Sequence, residues 1–247
     1  MDISHMSVSI MTRRAVESGG QKHGCSQVYH AAVVTQVEFR IRLFADPSRL
    51  KHYIRLWCAM RVSTSRFLLR DFVESDRFAF LGYQADPRYR RLYDIPKGQE
   101  RHASSLFESF LGWQADQPRQ NYQVGIFDRE TGRLCGCGGV RISATDPTIA
   151  VLGLELTPDD WGRYRLAVET VTALIGYGFD TLQLERIVGA TASGNTRVEK
   201  LARWFGAGIT DSHPGPDWMH AKGWNEVTWS LDRATWTHSA HRRRRPR

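Results

Sequence analysis

The chain lacks any run approaching the ~18 consecutive apolar residues a membrane-spanning helix needs, so no membrane partner is expected. The N-terminus lacks an apolar core followed by a small-residue cleavage site, so export is not expected and a cytoplasmic setting is. Cysteine is scarce, with only Cys25, Cys58, Cys135 and Cys137. Without an export signal these read as reduced thiols, not as a disulfide framework. Cys135 and Cys137 stand two apart in a strand-like run, where alternation would put them on one face. No second Cys/His pair at zinc spacing accompanies them, so packed thiols and no metal site are expected. A basic folded body is missing as well. The net charge is +8, but residues 1–59 carry +4 and residues 241–247 carry +5, leaving −1 for 60–240. A nucleic-acid-binding domain would hold its basic excess on the fold itself, so nucleic acid is not the expected partner. The terminal HRRRRPR reads as a disordered basic tail, because blocks of like charge repel and stay solvated.

What is present begins in earnest at Met60. Residues 1–30 are polar and aperiodic. VEFRIRLF (37–44) alternates as a half-buried strand would, and 48–57 gathers Leu50, Tyr53, Ile54 and Trp57 on one helical side. Neither joins a longer pattern. Residues 1–59 are therefore expected to be a poorly ordered extension, with a mis-assigned start upstream of Met60 as one explanation. The domain is expected over 60–236, with the tail over 237–247.

From Met60 the elements follow in order. A strand over 65–71 leads to a helix near Ser75, and a second helix spans 100–113. Tyr122, Val124 and Ile126 alternate, DRETG turns the chain, and the return strand runs from Leu134 to Ile142. IAVLGLEL (149–156) reads as a more buried strand. Over 165–179, Leu166, Ala167, Val171, Leu174 and Ile175 recur at three- and four-residue spacing, the stripe of a helix. ERIVGA (185–190) is a strand. Thr196 with Glu199 has the pattern of a capping box, and Val198, Leu201, Ala202 and Phe205 form the buried face of the helix that follows. Val227, Trp229 and Leu231 alternate in a last strand. Strands surrounding a helical unit, without strict βαβ alternation, predict an α/β domain on a mixed sheet.

The segment with chemical content is GLELTPDDWGRYRLAVET, 153–170. A buried strand enters a turn with Gly162 and two arginines, then a helix begins. The first N–H groups of a helix have no internal partners and carry the positive end of its dipole. A diphosphate could sit there, with Arg163 and Arg165 adding charge. An ordinary strand–helix turn with exposed arginines would look the same.

TSRFLLRDFVESD, GLELTPDDWG, YGFDTLQLERIVGATASGNTRVEKLARWFGAG and WNEVTWSLDRATW, in that order, resemble GNAT acetyltransferases, and within them the Rim-type (RimJ/RimL-like) branch that acetylates ribosomal-protein N-termini. The resemblance covers about 64–236. It implies a mostly antiparallel mixed sheet with helices on both faces and a slot where the family's fourth strand splays from the fifth. It further implies acetyl-CoA as co-substrate and an amine acceptor, either a peptide N-terminus or a small molecule, in a monomer or homodimer. Backbone groups of Leu154, Glu155 and Leu156 should meet the pantetheine arm. Amides of Trp161, Gly162, Arg163, Tyr164, Arg165, Leu166 and Ala167 should cradle the diphosphate, and Asn195 should approach the cofactor. Glu155 is the expected base, directly or through a water, with an oxyanion donor near Leu156 and no general acid assigned. The sequence departs from the family at two points. The second turn glycine is replaced by Tyr164 or Arg165, and Val198 stands where a small hydroxyl residue is common. These departures keep a second reading open, a catalytically impaired GNAT-fold module acting through its basic tail. Trp113, His213, Asp217, Trp218 and His220 are candidates for the acceptor wall, although a surface loop packed by its own side chains would contain the same residues.

Overall fold

The structure, a computed structural model, describes residues 59–92 and 100–238. The expected N-terminal extension, its strand and helix, and the basic tail lie outside the described residues, apart from Ala59 and the first two residues of the tail, Thr237 and His238. Among the described residues, eight strands form one sheet: β1 (Arg61–Ser63), β2 (Phe67–Asp71), β3 (Asn121–Asp128), β4 (Leu134–Ile142), β5 (Ile149–Leu156), β6 (Arg186–Ala192), β7 (Gly208–Pro214) and β8 (Asn225–Asp232). Their order is β1-β2-β3-β4-β5-β6-β8-β7. Every neighbouring pair is antiparallel except β5–β6.

Helices cover both faces. On one side lie α1 (Arg77–Gln84), α2 (Pro87–Leu92) and α3 (Glu100–Trp113). Phe80, Tyr83, Tyr89, Phe107 and Phe110 from these helices pack on Phe72, Phe127, Leu134 and Cys137 of the sheet side. Phe72 sits amid this aromatic cluster, with ring centroids 5.4–6.3 Å away. On the other side α4 (Tyr164–Gly176) and α5 (Thr196–Trp204) cover Leu152, Leu154, Leu156 and Ile187. The predicted α4 stripe is the face that is buried: Leu166, Ala167, Val171, Leu174 and Ile175. Full burial of a large aliphatic side chain contributes roughly 1.5–3 kcal/mol, so this stripe anchors the helix. A single π-type turn, Tyr177–Thr181, ends it. The chain closes with α6 (Asp217–His220) and α7 (Arg233–His238), whose Trp236 is fully buried against Phe179 and Phe205.

Three details differ from the sequence reading. The 206–224 segment is not all loop, because β7 pairs with β8 along its length. All seven of its residues are exposed, so it has no buried alternation to betray it. The α5 cap is Asn195, whose Oδ1 accepts from Val198 N at 3.2 Å, whereas Glu199 reaches forward to Arg203 at 3.0 Å. Cys135 and Cys137 do not share a face. Cys135 packs on the α4 side and Cys137 beneath the α1–α3 layer. The cause is a bulge: the β3–β4 register shifts between Ile126 and Phe127, opposite Cys135–Gly136. Gly136 is obligatory there, since its φ is +152° and a Cβ would collide with the Glu155 carbonyl oxygen.

Candidate active site

β5 and β6 pair at only three positions, Ile149↔Arg186, Ala150↔Ile187 and Val151↔Val188. Beyond them β5 stays with β4 as far as Leu156, and β6 stays with β8 as far as Ala192. The parallel strands thus part toward their C-terminal ends. The parting leaves an apolar void of about 80 Å³ lined by Leu152, Val188, Gly189, Ala190, Val198 and Trp229, among others. Ligands of open α/β sheets bind at such places, outside the carboxyl ends of diverging parallel strands.

Strand alternation decides which backbone groups face this slot. Thr157 N donates to Cys135 O (2.9 Å) and Ser143 N to Ile149 O (2.8 Å), so odd-numbered residues of β5 bond to β4. Even-numbered residues face the other way. Trp161 Nε1 reaches the Leu156 carbonyl from the slot side at 3.0 Å. Leu154 and Leu156 therefore present backbone groups to the slot as expected, with the Leu156 carbonyl already engaged. Glu155 does not: its backbone lies in the β4 ladder opposite Cys137.

The turn between β5 and α4 is a 3-10 segment, Pro158–Asp160, followed by Trp161, Gly162 at φ +80° and Arg163 as N-cap. A positive φ suits glycine, and it lets the chain reverse into the helix. Asp160 organises the turn. Its fully buried carboxylate accepts from Arg133 Nη1 (2.7 Å) and Nη2 (2.9 Å) and from the Thr157 hydroxyl (2.8 Å). Arg163 Nη1 lies 3.0 Å from the same carboxylate. The Arg163 guanidinium is thereby paired through one nitrogen, while its side chain stays largely exposed. Several turn amides are committed too: Arg163 N donates to Asp160 O, Tyr164 N to Gly162 O, and Leu166 N and Ala167 N to Arg163 O. The amides of Gly162 and Arg165 make no hydrogen bond among the described residues. Tyr164 and Arg165 do not line the slot. They border a separate groove of about 730 Å³ along the outer face of α4, with Val168, Glu169 and Trp204.

α5 starts at the same end of the slot as α4, because β6 runs parallel to β5. Asn195 holds the first turn of α5, and Val198 lines the void. The sequence reading passed over Arg197, between them. Its Nη1 is shielded from solvent, has no hydrogen-bond partner among the described residues, and lies 3.8 Å from where a Gly162 Cβ would stand.

The Glu155 side chain projects to the opposite face, beneath α1 and α2, and is 4% exposed. Oε1 accepts from Tyr83 OH and Gln84 Nε2, and Oε2 from Tyr89 OH, each at 2.7 Å. Burial raises its pKa above the ordinary carboxylate value, and the three donors oppose that rise by favouring the charged form. Tyr83 OH also lies 3.5 Å from Cys137 Sγ. Burial pushes the Cys137 thiol well up and the Cys135 thiol to about 11, so neither is a ready thiolate. Tyr83, Gln84 and Tyr89 were not singled out from the sequence; only their separation by some 70 residues from Glu155 hid them.

On that same sheet face, β8 carries Glu226, 3% exposed, opposite Ala192 and His213. His213 Nε2 stands 3.9 Å from Glu226 Oε1, and its Nδ1 stands 3.2 Å from Asp211. Of the other acceptor-wall candidates, Trp113 packs on Phe110 in the aromatic core, and Trp218 lies beneath the Lys222 ammonium. Among the described residues no group of three or more His, Cys, Asp or Glu could hold a metal, and no helix is long and apolar enough to cross a membrane.

Comparison with known proteins shows which family shares this mixed, mostly antiparallel sheet, whose one parallel pair parts above two helix N-termini. Residues 66–208, more than half of the chain, match the model of the acetyltransferase (GNAT) domain; the protein belongs to the GNAT acetyltransferase family. An uncharacterized N-acetyltransferase of Bacillus subtilis, YoaA, is 26% identical over 141 residues, covering 57% of this chain and 78% of the relative. A solved structure from Vibrio cholerae, described as a ribosomal-protein-serine acetyltransferase, superposes with a TM-score of 0.54 at 21% identity, covering 70% of this chain and 97% of that one. A spermidine N-acetyltransferase chimera of Vibrio cholerae and human sequence gives 0.58 at 14% identity, covering 71% and 100%. The protein is thus an acyltransferase by family, with acetyl transfer to an amine as its family chemistry.

Proposed function

We propose that this protein transfers the acetyl group of acetyl-CoA to a primary amine by direct attack, and that it is a Rim-type enzyme of the cytoplasm. The observation that carries the reading is the three-residue limit on β5–β6 pairing. It leaves an apolar slot beside β5, bordered by the backbone groups of Leu154 and the N–H of Leu156. The pantetheine arm, with its amides and alkyl links, fits such a slot as an added strand would. Gly162 and Arg165 amides, Asn195 and the α4 N-terminus stand where the diphosphate follows. Trp161 holds the turn against Leu156, and Leu166 and Ala167 anchor it to the core.

The thioester carbonyl carbon would lie near Leu156, whose N–H faces the slot and serves as oxyanion donor. The acceptor amine approaches from the α1–α2 face. Its nitrogen bonds to the carbonyl carbon, Glu155 takes the amine proton directly or through a water, and the carbon–sulfur bond breaks to release CoA as a thiolate that takes its proton from solvent. Burial raises the Glu155 pKa, which strengthens it as a base, and the three donors favour its charged form. Tyr83, Tyr89 and Gln84 hold the carboxylate in place. No acyl-enzyme is needed, in keeping with the buried, protonated cysteines.

The Rim-type assignment rests on the four ordered sequence words and on the ribosomal-protein-serine neighbour. The acceptor is then an exposed protein N-terminus, with small polyamines as the competing class. Incubation with acetyl-CoA and a panel of N-terminal peptides and polyamines, read by release of free thiol, tests both parts. Thiol release with peptides and not with polyamines supports the assignment. Release with polyamines alone removes the Rim-type part. No release with any amine, together with no thermal stabilisation by acetyl-CoA, removes the whole reading.

A further inference from the structure

The turn after β5 has few groups left with which to hold a diphosphate. Of the amides of residues 162–167, four bond within the turn, leaving those of Gly162 and Arg165. The Arg163 guanidinium is engaged by Asp160, and the Arg165 side chain borders the groove on the outer face of α4. The second glycine expected of such a turn is absent, so close backbone approach is restricted as well. Helix dipoles at the mouth favour an anion, but two amides and two helix starts are a thin set of donors for two phosphates.

Arg197 is placed to supply the missing charge. It stands in the first turn of α5, directly after the Asn195 cap and before Val198, which lines the slot. Its Nη1 is shielded from solvent yet donates to nothing among the described residues. A buried, unused guanidinium N–H is costly and calls for an acceptor. The direction in which it is aimed is informative: Nη1 comes to 3.8 Å from the position of a Gly162 Cβ. Arg197 Nη1 thus reaches the glycine turn across the mouth of the slot.

We infer that Arg197 is a binding residue for the diphosphate of the CoA carrier, bridging α5 to the Gly162 turn in place of the second glycine and of the hydroxyl that Val198 lacks. The inference rests on acetyl-CoA being the donor. Its planar fork suits two oxygens of one phosphate, which a lysine in its place would contact only as a point charge.

The test is calorimetric titration of the full chain with CoA, dephospho-CoA and pantetheine, in the wild type and in R197A, R197K and R163A. Binding of CoA by the wild type is the separate check on the proposed function; if CoA does not bind, that reading fails and this inference with it. Given wild-type binding, R197A should weaken CoA and dephospho-CoA alike by at least 30-fold while leaving pantetheine unchanged. R197K should recover only part of the loss, and R163A should cost less than 3-fold. If R197A melts early, R197Q replaces it. Equal CoA affinity in R197A or R197Q and wild type overturns the inference. So does a loss confined to CoA and absent with dephospho-CoA, which would assign Arg197 to the 3′-phosphate, and so does an equal loss with pantetheine, which would make its role structural.

Discussion

Leu154 and Leu156 send their side chains into the α4-side core and their backbone groups into the slot, whereas Glu155, between them, sends its side chain beneath α1 and α2 and its backbone to β4. One side of the strand is apolar and backbone-rich, suited to a long carrier arm. The other side holds one carboxylate among three donors, suited to moving a proton. A period of two separates the tasks by a single residue, so a change on one side should leave the other intact.

The strongest way to break that separation is Glu155→Gln. Loss of a general base costs about 100-fold or more in kcat, and acetyl-CoA affinity should stay within error, because the Glu155 side chain does not border the slot. Steady-state kinetics paired with calorimetry read both quantities, and unchanged turnover would remove Glu155 from the chemistry. Next in size is Asp160→Asn on the slot side. It takes away the charge that Arg133 and Arg163 share while keeping the shape, so urea unfolding should show a loss of about 1–3 kcal/mol. The proton side is sharpened by Tyr89→Phe. Burial raises the Glu155 pKa, so kcat/KM should fall as pH drops through a value above the ordinary carboxylate range. Tyr89 donates to the charged form; without it the carboxyl binds its proton more tightly, and the acid limb of the pH profile should move to higher pH. A limb that stays put would mean that another group sets it. The smallest effect is Asn195→Ala, where loss of the cap should cost about 1 kcal/mol in thermal or urea unfolding.

Apolar content and periodicity made β3 to β6, α4 and α5 legible, because β3, β4 and β5 are buried along most of their length and each helix commits one face to the core. It could not reveal β7, exposed along its whole length, nor the bulge at Cys135–Gly136, where five small residues in a row carry no alternation to shift. At the site, Gly162 was legible from the turn it permits, and Glu155 from its place in an apolar strand. The companions of Glu155 were not, since Tyr83, Gln84 and Tyr89 arrive from helices far back in the chain. Arg163 looked like a phosphate ligand because proximity in sequence suggested it, yet Asp160, three residues earlier, engages it first. Arg197 escaped notice for the converse reason: it reaches the turn from another helix altogether.

The bulge glycine has a consequence beyond the cysteines it redistributes. Because Gly136 lets its strand press against the Glu155 carbonyl, β5 is clamped firmly along one border and left open along the other from Leu152 onward. Deuterium uptake along those five residues should accordingly read as a stripe, slow at positions 153 and 155 and fast at 154 and 156, and a molecule lying in the gap should erase the stripe by slowing only the fast pair.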